Sequence, residues 1–307
     1  MIIGHQEIIN LFDAALQNKN LTKSYCFVGP EEVGKKTFAL NFISKLFNIP
    51  VDGLSNHPDF FYIERGIDGE DQKMKKNISI EQIRQLKQRL QKSSWAGSYR
   101  AVVIDGAEFL NEEASNALLK FLEEPPHKTI TFLITNDQKS LLPTVLSRLE
   151  IVYFNPVSEE GLMKYLLEKK VSLPEAQKLC DASWGRPGRM INFLRSPDLF
   201  REYEKEIARF ETLLRKPFYL KLKTLEEIFG KEEKEDHIKN REKLINILNI
   251  WEMEWRKIML QSSPSAMSSD FDNEKIISII DNIHEARKLL RQNIHPRLLI
   301  ENLVLDF

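Results

Sequence analysis

Five short apolar runs punctuate the first half of the chain: residues 24–29 (SYCFVG), 60–65 (FFYIER), 99–105 (YRAVVID), 129–136 (TITFLITN) and 149–154 (LEIVYF). They are rich in β-branched and aromatic residues and separated by helical periodicity, so the pattern predicts alternating strands and helices over residues 1–156. Uninterrupted apolar stretches such as Ala101-Val102-Val103-Ile104 suit strands covered on both faces, as in a parallel sheet with helices on either side. Ser79 and Gln82 form a capping box ahead of Ile80, Ile83, Leu86 and Leu90, which share one helical face. A further helix, residues 111–124, is stopped by Pro125-Pro126.

From Pro156 the strand signals vanish. Helical segments at 159–169 and 174–182 lead into the turn Gly185-Arg186-Pro187-Gly188, which predicts a small helical domain over 157–204. Residues 205–307 read as helical throughout. Leu244, Ile247, Leu248, Trp251, Trp255 and Ile258 form one stripe at spacings of three and four, and Ile276, Ile279, Ile280 and Ile283 form another. Both are expected to be bundle core, with the Ser-rich stretch 261–273 as a loop between helices. The fold class is therefore α/β plus all-α.

Composition narrows the function. A chain of 307 residues accommodates more than one core, and with 12 Gly, 13 Pro and 42% hydrophobic residues it is neither collagen-like nor disordered. Forty-four basic against 45 acidic residues give a net charge of -1, so any contact with nucleic acid must be local. Cys26 and Cys180 are too few for a four-cysteine zinc site or a disulfide framework, and no bound metal is expected. The natural compartment is a reducing cytoplasm, with no membrane-spanning segment expected.

Directly after the first strand lies Gly29-Pro30-Glu31-Glu32-Val33-Gly34-Lys35-Lys36-Thr37, a G-x-x-x-x-G-K loop with Lys36 where Ser or Thr is required. Backbone N–H groups at such a turn converge on phosphate oxygens, and Lys35 adds a point charge. The missing hydroxyl is the Mg2+ ligand, and Lys36 places an ammonium there instead. Glu31 and Glu32 add like-charge repulsion towards an anion. The plain alternative is a strand-to-helix turn that merely uses glycine, but the flanking strand and helix favour a nucleotide site by ancestry. Binding of ATP, ADP and Mg2+ is expected to be impaired, and no cofactor is required.

Asp105 ends the buried run Ala101–Ile104 and occupies the position of a Walker B aspartate. The next residue, which would orient an attacking water as Glu, is Gly106. Glu108, three residues further on, reads as part of a solvated turn.

Residues 102–126, VVIDGAEFLNEEASNALLKFLEEPP, resemble the corresponding region of bacterial clamp-loader AAA+ subunits. The resemblance runs nearly the full length: Ile3-Gly4-His5, YCFVGPEEVGKKT, NHPDFFYIE, the sensor-1-like Asn136, LPTVLSR ending at Arg148, the Gly185–Arg189 turn and the tail NIHPRLLIENLVLDF. It implies an AAA+ P-loop domain with a five-stranded parallel sheet (1–156), a helical lid (157–204) and a helical collar for oligomerisation (205–307). Lys36 and Gly106 are similar to the delta-prime type rather than the ATP-hydrolysing gamma/tau type. The family's four-cysteine zinc module is absent, so residues 47–57 are expected to be ordered without metal. The sensor-2 position falls near Gly188, with Arg189 one place on.

The resemblance also implies a trans arginine finger at Arg148, where a guanidinium complements charge developing on a neighbour's γ-phosphate; the plain alternative is a surface salt bridge. Residues 73–100 carry Lys73, Lys75, Lys76, Arg84, Lys87, Arg89, Lys92 and Arg100 against a single acid, Glu81. That face could meet DNA phosphates or an acidic partner, or simply be the solvated side of a helix. His57, His127 and His295 adjoin prolines and read as structural. The implied function is a stator subunit of the DNA polymerase III clamp loader, without its own ATPase, working with gamma/tau and delta subunits, the sliding clamp and primed DNA. Two rivals stand beside it: an active gamma/tau-type ATPase and a stand-alone DNA-binding accessory protein.

Overall fold

A computed structural model describes residues 2–18, 20–66, 77–90, 99–126, 128–229, 237–260, 271–290 and 295–307. The chain forms two compact units, Met1–Arg195 and Ser196–Phe307. The first opens with α1 (Gln6–Gln17), β1 (Ser24–Val28), α2 (Lys35–Phe47), β2 (Phe60–Ile63) and α3 (Ile80–Leu90). It continues through β3 (Arg100–Asp105), α4 (Glu112–Glu123), β4 (Thr129–Thr135), α5 (Pro143–Leu146) and β5 (Glu150–Tyr153). The strands pair only in parallel, in the order β2-β3-β4-β1-β5. β4 thus lies between β1 and β3, and the loops leaving the carboxyl ends of all three gather at one edge, where ligands of open α/β sheets bind.

The period-two alternation of the strands builds three layers. Cys26 and Val28 of β1, with Val102, Ile104 and Leu133, face Ile83, Leu86, Leu118 and Leu122 of α3 and α4. The intervening Tyr25, Phe27, Val103 and Phe132 face Phe12 of α1 and Phe38 and Phe42 of α2. Phe12 is ringed by aromatic partners, among them Phe38 and Phe42 with centroids 5.1 Å away in edge-to-face geometry.

Local signals are realised in the helix caps. The Ser79 N–H donates to Gln82 Oε1 (2.9 Å) and the Gln82 N–H to Ser79 Oγ (3.4 Å), closing the capping box. Asn111 accepts from the Ala114 N–H (2.8 Å) at the start of α4. The segment after α2 is a 3-10 helix, Val51–Asn56, and the rings of Phe47 and His57 on either side of it stack on each other at 4.4 Å.

Three helices complete the first unit: α6 (Glu159–Glu168), α7 (Leu173–Ser183) and α8 (Pro187–Arg195). Of the segment expected as a lid, residues up to 195 belong to this unit and residues 196–204 to the next. The second unit holds α9 (Pro197–Arg215), α10 (Phe218–Phe229), α11 (His237–Leu260), α12 (Asn273–Leu290) and α13 (Pro296–Leu305). Trp251 and Trp255 are fully buried in its core with Ile276, Ile279, Ile283 and Phe307. Residues 261–270 of the expected Ser-rich loop lie outside the described residues. Among the described residues no helix is long and apolar enough to cross a membrane.

Candidate functional site

A cleft of about 420 Å³ opens at the carboxyl ends of β1, β3 and β4, lined by the β1–α2 loop, the end of β3 and the start of α8. Gly29 opens the loop beside β5: a Cβ there would lie 2.2 Å from the Phe154 carbonyl oxygen. Lys35, the first residue of α2, is almost wholly buried. Its ammonium donates to the Gly29 and Pro30 carbonyls (the latter 2.7 Å) and to Asn136 Oδ1 (2.9 Å), which uses all three of its hydrogens on the loop and the end of β4. Burial pulls its pKa down to about 8, opposed by Glu108, Glu31 and Asp105 and helped by Arg186.

Lys36 lies where a metal-binding hydroxyl would stand. Its Nζ is 3.3 Å from Asp105 Oδ2, 3.9 Å from Glu64 Oε2 and 4.6 Å above the Tyr62 ring. The Tyr62 hydroxyl donates to the same Asp105 oxygen at 2.6 Å, with Glu64 Oε2 at 3.1 Å. Burial and the Asp105 contact raise the Tyr62 pKa, so the phenol stays protonated and donating. Tyr62 and Glu64 were not singled out by sequence pattern; the pairing of β2 with β3 brings them beside Asp105.

Glu108 is a correction to the expected solvated turn. Gly106 takes φ +79°, a left-handed conformation open to glycine, and the turn Ala107–Phe109 folds back over the strand end. Glu108 lines the cleft, where one carboxylate oxygen accepts from Asn136 Nδ2 (2.9 Å) and the other is buried with no partner among the described residues. Asn136 Nδ2 also donates to Glu31 (2.9 Å). The sensor-1-like position thus joins the phosphate-loop lysine to two carboxylates. Thr37 lines the cleft from α2. Five carboxylates (Glu31, Glu32, Glu64, Asp105, Glu108) face three cations (Lys35, Lys36, Arg65), a balance opposed to binding a polyanion.

The loop is also fastened to α8. Glu32 adopts φ +62°, unusual for a residue with a side chain. Its carbonyl accepts the Gly188 N–H (2.8 Å) and its carboxylate the Asn192 Nδ2 (2.7 Å). Gly188 is needed there, since a Cβ would sit 2.9 Å from the Glu32 oxygen. Nearby, the Val157 N–H donates to the Gly185 carbonyl (2.7 Å), and His5 Nε2 lies 3.0 Å from the Val33 carbonyl. Arg189 does not line the cleft; its guanidinium sits 5.3 Å over the Phe193 ring, and Arg186 is the arginine of this turn whose charge reaches Lys35.

Arg148 follows α5 and is absent from the lining of the cleft. Its Nε donates to Glu123 Oε1 (2.9 Å), Nη2 reaches the same oxygen, and Nη1 donates to the Thr144 carbonyl (2.6 Å) and Ser147 Oγ (3.1 Å). Of the basic face, Lys73, Lys75, Lys76 and Lys92 lie outside the described residues, as does His127. Arg84 and Arg89 are exposed on α3, Arg89 lying 4.9 Å over the Phe61 ring, while Lys87 donates to the Ala117 carbonyl (3.3 Å). Arg100 does not belong to that face: it is buried at the start of β3, bonded to the Leu90 carbonyl and 3.8 Å from Asp59.

Residues 4–158 match the family described as DNA polymerase III, delta subunit. The DNA polymerase III subunit delta' of Bacillus subtilis is 24% identical over 97% of this chain and 94% of its own length. The DNA polymerase III subunit tau of the same organism is 29% identical over 53% of this chain and 30% of its own length. Among solved structures, a DNA polymerase III gamma subunit-related protein of Thermotoga maritima aligns with a TM-score of 0.48 at 21% identity, covering 96% of this chain and 97% of that one.

Proposed function

This chain belongs to the delta-prime family of DNA polymerase III clamp-loader subunits, and we propose that it acts in such a complex as a stator that does not hydrolyse ATP itself. It works in the cytoplasm with gamma/tau and delta subunits to place a sliding clamp on primed DNA. The observation that carries this reading is the Lys36–Asp105 ion pair inside an otherwise complete phosphate loop.

The donor set does not suit Mg2+. The Asp105 oxygen that would help hold the ion is engaged by the Lys36 ammonium and the Tyr62 hydroxyl, and an ammonium offers no lone pair to a metal. At the water-orienting position Gly106 has no side chain to act as base. Lys35 is satisfied by two loop carbonyls and the Asn136 amide oxygen, so an entering phosphate would have to displace bonds already made. These substitutions favour the stator over a self-sufficient gamma/tau-type ATPase. Arg84 and Arg89 on α3 remain exposed cations suited to DNA phosphates or an acidic partner.

Arg148 is the residue proposed to act on a neighbour. It lies outside this chain's own cleft, so a phosphate that it meets there belongs to another molecule. A guanidinium supplied in trans stabilises charge on the γ-phosphate and is worth roughly 10³ to 10⁵ in turnover. The test is ATP binding and steady-state hydrolysis by the purified chain with Mg2+, alone and after mixing with a tau-type subunit. No turnover alone, and stimulation on mixing that is lost in Arg148→Ala, supports the reading; robust turnover by the chain alone overturns it.

A further inference from the structure

The guanidinium of Arg148 is fixed before any neighbour arrives. Of its five N–H donors, one on Nε and one on Nη2 go to Glu123, and Nη1 reaches the Thr144 carbonyl and Ser147 Oγ. A single Nη2 hydrogen has no partner among the described residues. Glu123 is the last residue of α4, where a carboxylate is electrostatically unfavourable because the helix end is already negative. Glu124, the C-cap residue, places a second carboxylate at the same helix end. Arg148 offsets the charge of Glu123, and in return Glu123 holds the plane of the guanidinium.

We propose that Glu123 is the positioning residue for Arg148: it holds the guanidinium by Nε and Nη2 so that the uncommitted Nη2 hydrogen and the charge are presented in one orientation to the neighbouring subunit's nucleotide. The inference rests on the reading of Arg148 as a trans finger. An arginine on a long stem loses rotamer freedom when it binds a phosphate, and prior bonding to Glu123 takes that loss out of the catalytic step. The pair is substantially exposed, 31% and 49% for the two side chains, so it contributes little to folding and its removal leaves the fold intact.

The experiment uses the assembled loader: this chain with tau-type and delta-type subunits, clamp and primed DNA. The quantity read is the Arg148-dependent ATPase, defined as the difference between the parent complex and one carrying Arg148→Ala. Glu123→Ala is expected to remove roughly nine-tenths of that difference through kcat, with KM for ATP unchanged. Glu123→Gln, which keeps an acceptor oxygen in place, retains more than half of it. Adding Glu123→Ala to Arg148→Ala has no further effect. Full activity of Glu123→Ala beside a deficient Arg148→Ala overturns the positioning role and leaves the finger standing. A Glu123→Gln complex faster than the parent overturns it too, since Glu123 would then restrain the arginine. No effect of Arg148→Ala removes the finger and this proposal together. Assembly followed by gel filtration separates lost subunit contact from lost turnover.

Discussion

Lys36 Nζ stands 3.3 Å from Asp105 Oδ2, so the first turn of α2 and the end of β3 are joined by an ion pair at the place a metal would bridge. Replacing Lys36 by Thr removes the ammonium from Asp105, leaving the Tyr62 hydroxyl as its partner, and restores a hydroxyl beside Lys35. In a fluorescent-nucleotide titration the parent chain should be indifferent to Mg2+, whereas Lys36→Thr should bind about tenfold or more tightly when Mg2+ is added. Neither protein should hydrolyse ATP, because Gly106 is unchanged. Mg2+-independent binding by Lys36→Thr would refute the account.

The depressed pKa of Lys35 makes stability depend on pH in a defined window. In the unfolded chain Lys35 titrates near 10.5 and in the folded chain near 8. Below about pH 8 both states carry the proton and the cost of burying the charge is fully present. Between about 8 and 10.5 the unfolded state holds more protons, so this group's contribution to stability rises with pH, by up to about 1.4 kcal/mol per unit. Urea unfolding of the parent and of Lys35→Met at pH 7.5 and pH 9.5 should differ in slope accordingly; parallel pH profiles would contradict it.

Gly188→Ala should loosen the fastening of the phosphate loop to α8. The added Cβ meets the Glu32 oxygen at 2.9 Å and the Glu32 Cβ at 3.0 Å, both on a loop whose position is set by strand and helix. A cost of about 1–3 kcal/mol is expected, with faster hydrogen exchange at the amides of α8. Asn192→Ala, which removes only the side-chain bond to Glu32, should cost less.

In the second unit, two buried tryptophans make opposite use of their N–H groups. Trp251 Nε1 donates to the buried Glu206 (2.9 Å), whereas Trp255 Nε1 has no acceptor among the described residues. Trp251→Phe therefore leaves Glu206 Oε1 without its donor, with only the other oxygen still paired to Arg209, in a carboxylate whose pKa burial already raises, whereas Trp255→Phe removes no such bond. Trp251→Phe should be the more destabilising by about 1–2 kcal/mol in urea denaturation, and equal losses would mean that packing alone sets both values.

The strands and caps were legible because their causes are local. β4 reads as β-branched and aromatic along most of its length and is buried throughout, and the Ser79–Gln82 box needs only residues three apart. The loop from Gly29 to Lys35 was legible for the same reason, as was the charge conflict at Lys36. Tyr62 and Glu64 were not: they join the site because β2 is hydrogen-bonded to β3, and strand order is set by packing of the whole sheet. Glu108 was misread because nothing in Gly106-Ala107-Glu108 signals that the turn after β3 reverses towards the cleft. Arg100 was counted as surface charge because a run of basic residues hides the strand alternation that buries its side chain beside Asp59.

The bonds of Glu32 to Gly188 and Asn192 run directly from the phosphate loop to α8. A ligand can bias a conformational equilibrium only by the difference in its affinity for the two states. On the stator reading proposed above, contacts supplied by the loop itself hold α8 before any ligand arrives, so the coupling between ATP and the position of α8 is expected to be small. Under that proposal the chain would serve its complex as a fixed length whose shape does not follow the cell's ATP level.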